Sequence, residues 1–119
     1  MKTTKKHFDL FQAECQKWIK YFGLLDWRVF YFHCDIGRNL GSCSANLAGR
    51  NASLSLGKIW HEEEVTNDWV KEVAFHEVCE LLLARTQHYM AEGGRMDDID
   101  ETRHEVIRVL ENVIFNKVS

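Results

Sequence analysis

Apolar side chains recur at three- and four-residue spacings over residues 7–22, where Phe8, Phe11, Cys15, Trp18, Ile19 and Phe22 fall on one stripe. That period predicts an amphipathic helix, and Gly23 is placed to end it. Residues 27–34 are dense in aromatic and β-branched side chains and read as a strand. A turn at 35–39 follows. In residues 42–48 and 52–56, Cys43, Ala45 and Leu47, then Ala52, Leu54 and Leu56, alternate with polar or small residues. Gly49-Arg50-Asn51 is a natural hairpin connection between these two strands. The expected sheet is a three-stranded antiparallel meander with one polar face.

Residues 58–65 follow no single period. Thr66 or Asn67 can then cap a long helix, with Asp68 in its first turn, running to about Tyr89. The loop at 91–96 contains Gly93-Gly94. A last helix is predicted over about 98–116, with Ile99, Val106, Ile107, Leu110, Val113 and Ile114 as its apolar stripe. The order is α-β-β-β-α-α, an α+β fold class.

Length and composition narrow the picture. The 119 residues suit one domain spanning 1–119, since domains commonly hold roughly 100–150 residues. Aromatic residues make up 12% of the chain, which argues against disorder. The net charge is −3 with both signs interspersed, so neither nucleic acid nor a membrane surface is an expected partner. Lys2, Lys5 and Lys6 read as a solvated start rather than a nucleic-acid arm. Met1 to Leu10 lacks an apolar leader core, and the expected compartment is the cytoplasm. Cys15, Cys34, Cys43 and Cys79 form no CxxC pair, and in such a protein they are expected to be reduced and mostly buried.

The candidate chemistry lies on the long helix. At 100° per residue, Trp69, Val73, His76 and Glu80 share one stripe, so His76 and Glu80 project side by side and can bind one ion. Glu77 stands about 100° round from His76, near such an ion without facing it directly. This is the geometry by which an i, i+4 pair ligates a metal while the intervening Glu acts on water. Phe75, Val78, Leu81 and Leu82 would anchor the opposite face. His-Glu-x-x-Glu is a loose pattern, and its competitor is an amphipathic helix whose ionisable residues are merely solvated. Trp69 and Val73 on the same stripe weigh against that competitor.

The segment Val73-Ala74-Phe75-His76-Glu77-Val78-Cys79-Glu80-Leu81-Leu82-Leu83 resembles the active-site helix of zincin metallopeptidases. The order of elements is similar to that of minimal gluzincin-like zincins, among them small phage and prophage metallopeptidases. The resemblance implies a zinc ion held by two His and one carboxylate, with the third ligand on the following helix. The chain departs from the pattern at the second His, which is Glu80. His104 on the last helix would restore two imidazoles and one carboxylate, and Glu101 and Glu105 are the other candidates. Glu101 is spaced from Glu80 much as the third ligand is in thermolysin-type enzymes. The implied function is hydrolysis of peptide or protein substrates, with zinc or another divalent ion as cofactor and Glu77 as general base. The loss of a motif His also fits an inactive zincin-like domain that binds metal or protein. An extended substrate would pair with the strand beside the cleft, expected at 52–56.

Other residues carry less. His61 and Glu62 to Glu64 are consecutive and do not converge, which suits a solvated acidic turn. His33 reads as a packed strand histidine. His88 and Tyr89 lie too far along the helix to share an ion with His76. Tyr31 and Tyr89 are eligible oxyanion donors that nothing selects. Cys79 reads as a buried, inert thiol. Asp97, Asp98 and Asp100 complement a helix dipole and do not form a calcium loop.

Overall fold

The computed structural model describes residues 1–86, 88 and 96–118. It has the predicted α+β character and order of elements. Helix α1 (Lys5–Tyr21) opens with a capping box: Thr4 Oγ1 accepts from the His7 backbone N–H at 3.3 Å, and His7 Nδ1 accepts from the Thr4 N–H at 3.0 Å. Gly23 follows with φ of 71°, a left-handed conformation that glycine adopts without steric cost. The predicted stripe is the buried one, since Phe11, Cys15, Trp18 and Ile19 all face the core.

Strands β1 (Arg28–Cys34), β2 (Gly41–Asn46) and β3 (Asn51–Gly57) form an open sheet. Its order is β1-β3-β2, with β1 parallel and β2 antiparallel to β3. The expected antiparallel meander is therefore wrong: only the β2–β3 hairpin survives. Two physical features favour the observed order. β3 is the most buried strand, with Ala52, Leu54 and Leu56 inside and small Ser residues between them, which suits the central place. The connection 35–40 must then cross the end of β3, which requires close backbone approach. Gly57 permits it: a Cβ there would lie 2.8 Å from the Asn39 carbonyl oxygen and 3.2 Å from that of Leu40.

Helix α2 (Asn67–Leu82) packs between α1 and the sheet. Of the two candidate caps, Thr66 takes the role, its Oγ1 accepting from the Trp69 N–H at 3.1 Å. α2 ends short of the predicted Tyr89, at Leu82, where Leu83 leaves helical geometry at φ −93° and ψ 3°. Residues 84–86 are helical again, while Tyr89 and residues 91–95 of the loop predicted at 91–96 lie outside the described residues; Met96, expected in that loop, already begins the next helix. Helix α3 (Met96–Leu110) continues through a π-helical stretch, Glu111–Phe115, and a last turn α4 (Asn116–Val118).

The core joins all layers. Trp18 meets Phe75 edge-on at 4.7 Å, and Phe75 in turn contacts Phe115. Ile99 and Ile107 are buried on α3, with Leu110 and Ile114 half-buried. Val106 and Val113, predicted to be core, are 40% and 55% exposed. α3 docks through a narrow stripe centred on Ile107, and residues about 100° away from it remain outside. Among the described residues no helix is long and apolar enough to cross a membrane.

Candidate metal centre

Burial of Val70, Val73, Ala74, Phe75, Val78 and Leu81 fixes the rotation of α2 about its axis. That rotation leaves His76 and Glu80 half-buried, one turn apart, facing α3. His104 reaches them from α3. One donor atom each of His76, Glu80 and His104 lies within 4.8 Å of the other two. The two imidazole centroids are 5.9 Å apart, with their planes inclined by 31°. Around a tetrahedral zinc, donors at about 2.1 Å would stand about 3.4 Å from one another. Small side-chain rotations close the difference, so the donor set fits a small divalent ion. Burial, the largest influence, holds the His76 pKa below its ordinary value, although Glu80 opposes the shift. A neutral imidazole is the form that ligates metal. Glu101 and Glu105 lie exposed on α3, outside this grouping.

Glu77 stands behind His76 and is only 4% exposed. Its Oε1 is buried without a hydrogen-bond partner among the described residues. Burial raises the carboxyl pKa well above its ordinary value, the neighbouring Glu80 carboxyl adds to the shift, and Arg103 opposes it. A buried acceptor with nothing to accept from is costly in a purely structural role. It suits a group that exchanges a proton with water or substrate. Gly41 on β2 makes room for it: a Cβ at Gly41 would come within 2.7 Å of Val73 Cγ1 and 3.0 Å of Glu77 Oε2.

No family model, curated protein or solved structure gives a significant match to the chain. The reading of the site therefore rests on its own chemistry.

Sequence reasoning missed Arg103. Its guanidinium lies 3.3 Å from Glu80 and 3.5 Å from Asp100, with Arg103 and Glu80 both mostly buried. It counters the negative charge of Glu77 and Glu80, and its place next to His104 was the available signal. Also missed was the cleft of ≈ 240 Å³ on the His76 side, where Glu77 forms a wall together with Gly41, Trp69, Glu72 and Glu111. A second hollow of ≈ 250 Å³ opens on the Glu80 side, beside Cys43, Ala45 and Arg103. The strand that borders both hollows is β2. The expectation that residues 52–56 would receive a substrate fails, because both edges of β3 are already paired.

The remaining candidates fall outside the site. His33 Nε2 bonds Thr3 Oγ1 at 2.7 Å, and its ring stacks on Phe8. Glu62 pairs with Arg38 on the surface. His88 is exposed and borders the second hollow rather than the His76 cleft. All four cysteines are free. Cys79 is buried, and burial with nearby carboxylates pushes its thiol up to about 12, far from a reactive thiolate. The side chains of Asp97 and Asp98 lie outside the described residues.

Proposed function

We propose that the chain is a metal-dependent peptidase of the minimal zincin type, hydrolysing peptide bonds in peptide or protein substrates. One observation carries this reading. Three convergent donors, His76, Glu80 and His104, stand beside a deeply buried carboxylate, Glu77, whose Oε1 lacks a partner. The motif helix flanked by a hairpin and a closing helix supports it further.

Zinc is the expected ion for two imidazoles and one carboxylate, and when bound it would polarise a carbonyl and lower the pKa of a nearby water to roughly 7. The chain's own residues do the rest. Glu77 is placed to accept a proton from water at Oε1 and to return it to the departing amine. Its raised pKa suits the first task, since the conjugate base of a weaker acid is the stronger proton acceptor. Arg103 holds Glu80 in place and offsets its charge. β2, with Gly41 at its start, brings a backbone edge that no described strand pairs with alongside the cleft for an extended substrate.

The test is elemental analysis of protein purified without a polyhistidine tag or added metal, followed by peptide hydrolysis. Near-stoichiometric zinc is expected, and it should be lost in His76→Ala, Glu80→Ala and His104→Ala. Glu77→Gln should keep the zinc and lose hydrolysis by at least about a hundredfold. Absence of metal under zinc-replete conditions, or full activity in Glu77→Gln, would sink the proposal. The Arg103–Glu80 ion pair favours a second reading, because it satisfies Glu80 without an ion. On that reading the chain is a zincin-like protein-binding module. It would cleave neither casein nor a peptide library, whatever its metal content.

A further inference from the structure

The hydrolytic chemistry leaves two carboxylates of the cleft unused. Glu72 lies one turn before His76 on α2, and Glu111 opens the π-helical stretch after α3. Both line the ≈ 240 Å³ cleft that His76, Glu77 and Trp69 also line. Their carboxyls are neighbours there, and Glu111 is raised to about 7 by burial first and then by the nearby Glu72 carboxyl, with Arg108 opposing. Like charges held together in a half-buried place are unfavourable unless a proton or a cation stands between them. π-Helical turns inside α-helices often re-aim side chains at functional sites, and here the turn begins at Glu111. Two independent features point to a ligand in the same space. Glu77 Oε1, buried and unpartnered, belongs to the inner wall. Trp69, 42% exposed, stands at the border and offers an aromatic surface to alkyl or cationic groups.

We propose that Glu72 and Glu111 form a subsite for a cationic side chain, so that the enzyme prefers substrates with lysine or arginine beside the scissile bond, on the His76 side. The subsite rests on the peptidase reading for its role in turnover, but its binding chemistry stands apart from the metal. An ammonium or guanidinium group placed between the two carboxyls satisfies both, while the methylenes of the side chain lie against Trp69. A neutral isostere leaves the pair to its own repulsion. An acidic side chain adds to that repulsion.

The test compares acetyl-Ala-Lys-Ala-amide with its norleucine counterpart, which has the same shape at that position and no charge. Calorimetric titration of the metal-free protein should show the lysine peptide binding about tenfold more tightly. With the zinc-loaded enzyme, kcat/KM over matched longer peptides should show a lysine-to-norleucine ratio of about ten or more. Glu72→Gln with Glu111→Gln should bring both ratios close to one. Glu72→Lys with Glu111→Lys should turn the preference towards a glutamate peptide, a gain that misfolding cannot imitate. A wild-type ratio near one, or a ratio that persists in the double Gln variant, overturns the subsite. Tight lysine-selective binding without any cleavage upholds the subsite and counts against the peptidase, so the two failures remain distinguishable.

Discussion

Glu77 is where stability and the proposed function oppose each other most directly. The carboxyl is held among apolar and acidic neighbours, and burial followed by Glu80 raises its pKa above the ordinary 4.5. A group whose pKa rises on folding contributes most when protonated. That contribution is complete below about 4.5 and is lost as pH climbs through the folded value. At neutral pH the metal-free protein therefore carries the cost of either a buried charge or a retained proton. Glu77→Gln removes it. The variant is expected to melt a few degrees higher than the wild type at pH 7, on the order of 1 kcal/mol in a domain of this size. Near pH 4 the two proteins should melt together. A thermal scan at both pH values decides it, and a variant that melts lower at pH 7 would show that Glu77 is a structural residue.

Among the elements, β2 and α2 depend on each other through one missing side chain. Gly41 has an ordinary backbone conformation, so space rather than φ is what demands glycine there. A methyl group would overlap Val73, itself buried, and crowd both Cγ and Oε2 of Glu77. Gly41→Ala is expected to cost about 1–3 kcal/mol by overpacking and to lower kcat more than it raises KM, because Glu77 is displaced while the rest of the cleft persists. Urea unfolding and steady-state kinetics on the same variant check both halves; unchanged kcat with normal stability would contradict the close approach. The sequence announced neither this contact nor the strand order. The alternation in residues 42–48 and 52–56 says which side chains share a face, and it is equally compatible with β1 beside β2 or beside β3. What selects between them is the tolerance for backbone crossing at Gly57, a tertiary matter. The helices were more legible, because burial on one side writes a 3.6-residue period directly into the chain. His76 and Glu80 could be read from that period alone. His104 could be found only by asking which donor would complete the pair. Arg103, Glu72 and Glu111 stayed hidden because their meaning depends on how α3 rotates against α2, a rotation the apolar pattern fixed too loosely to exclude Val106 and Val113.

At the scale of the whole molecule, the proposed ion would be a clasp between two parts of unequal attachment. α1, the sheet and α2 share the aromatic and aliphatic core around Trp18, Phe75, Leu54 and Leu56. α3 adds to it through Ile107 and the half-buried Leu110, with the Arg103–Glu80 pair alongside. A surface helix held by a narrow apolar stripe opens at lower free energy than the core it rests on. Two of the three proposed donors belong to α2 and the third, His104, to α3, so the full binding free energy would be gained only when the two helices are docked. Saturation a thousandfold above the dissociation constant would stabilise the docked state by about 4 kcal/mol. The predicted consequence is local as well as global. On adding zinc, backbone amides of residues 96–110 should exchange with solvent roughly a hundredfold more slowly or better, whereas those of α1 should change only as far as global unfolding limits them. In His104→Ala the effect should vanish on α3 even if weak zinc binding persists through His76 and Glu80. Hydrogen exchange followed by mass spectrometry distinguishes the outcomes. Equal protection of α1 and α3 in the wild type would mean that α3 is already part of one cooperative unit and needs no clasp, and persistence of the effect in His104→Ala would assign the third donor elsewhere.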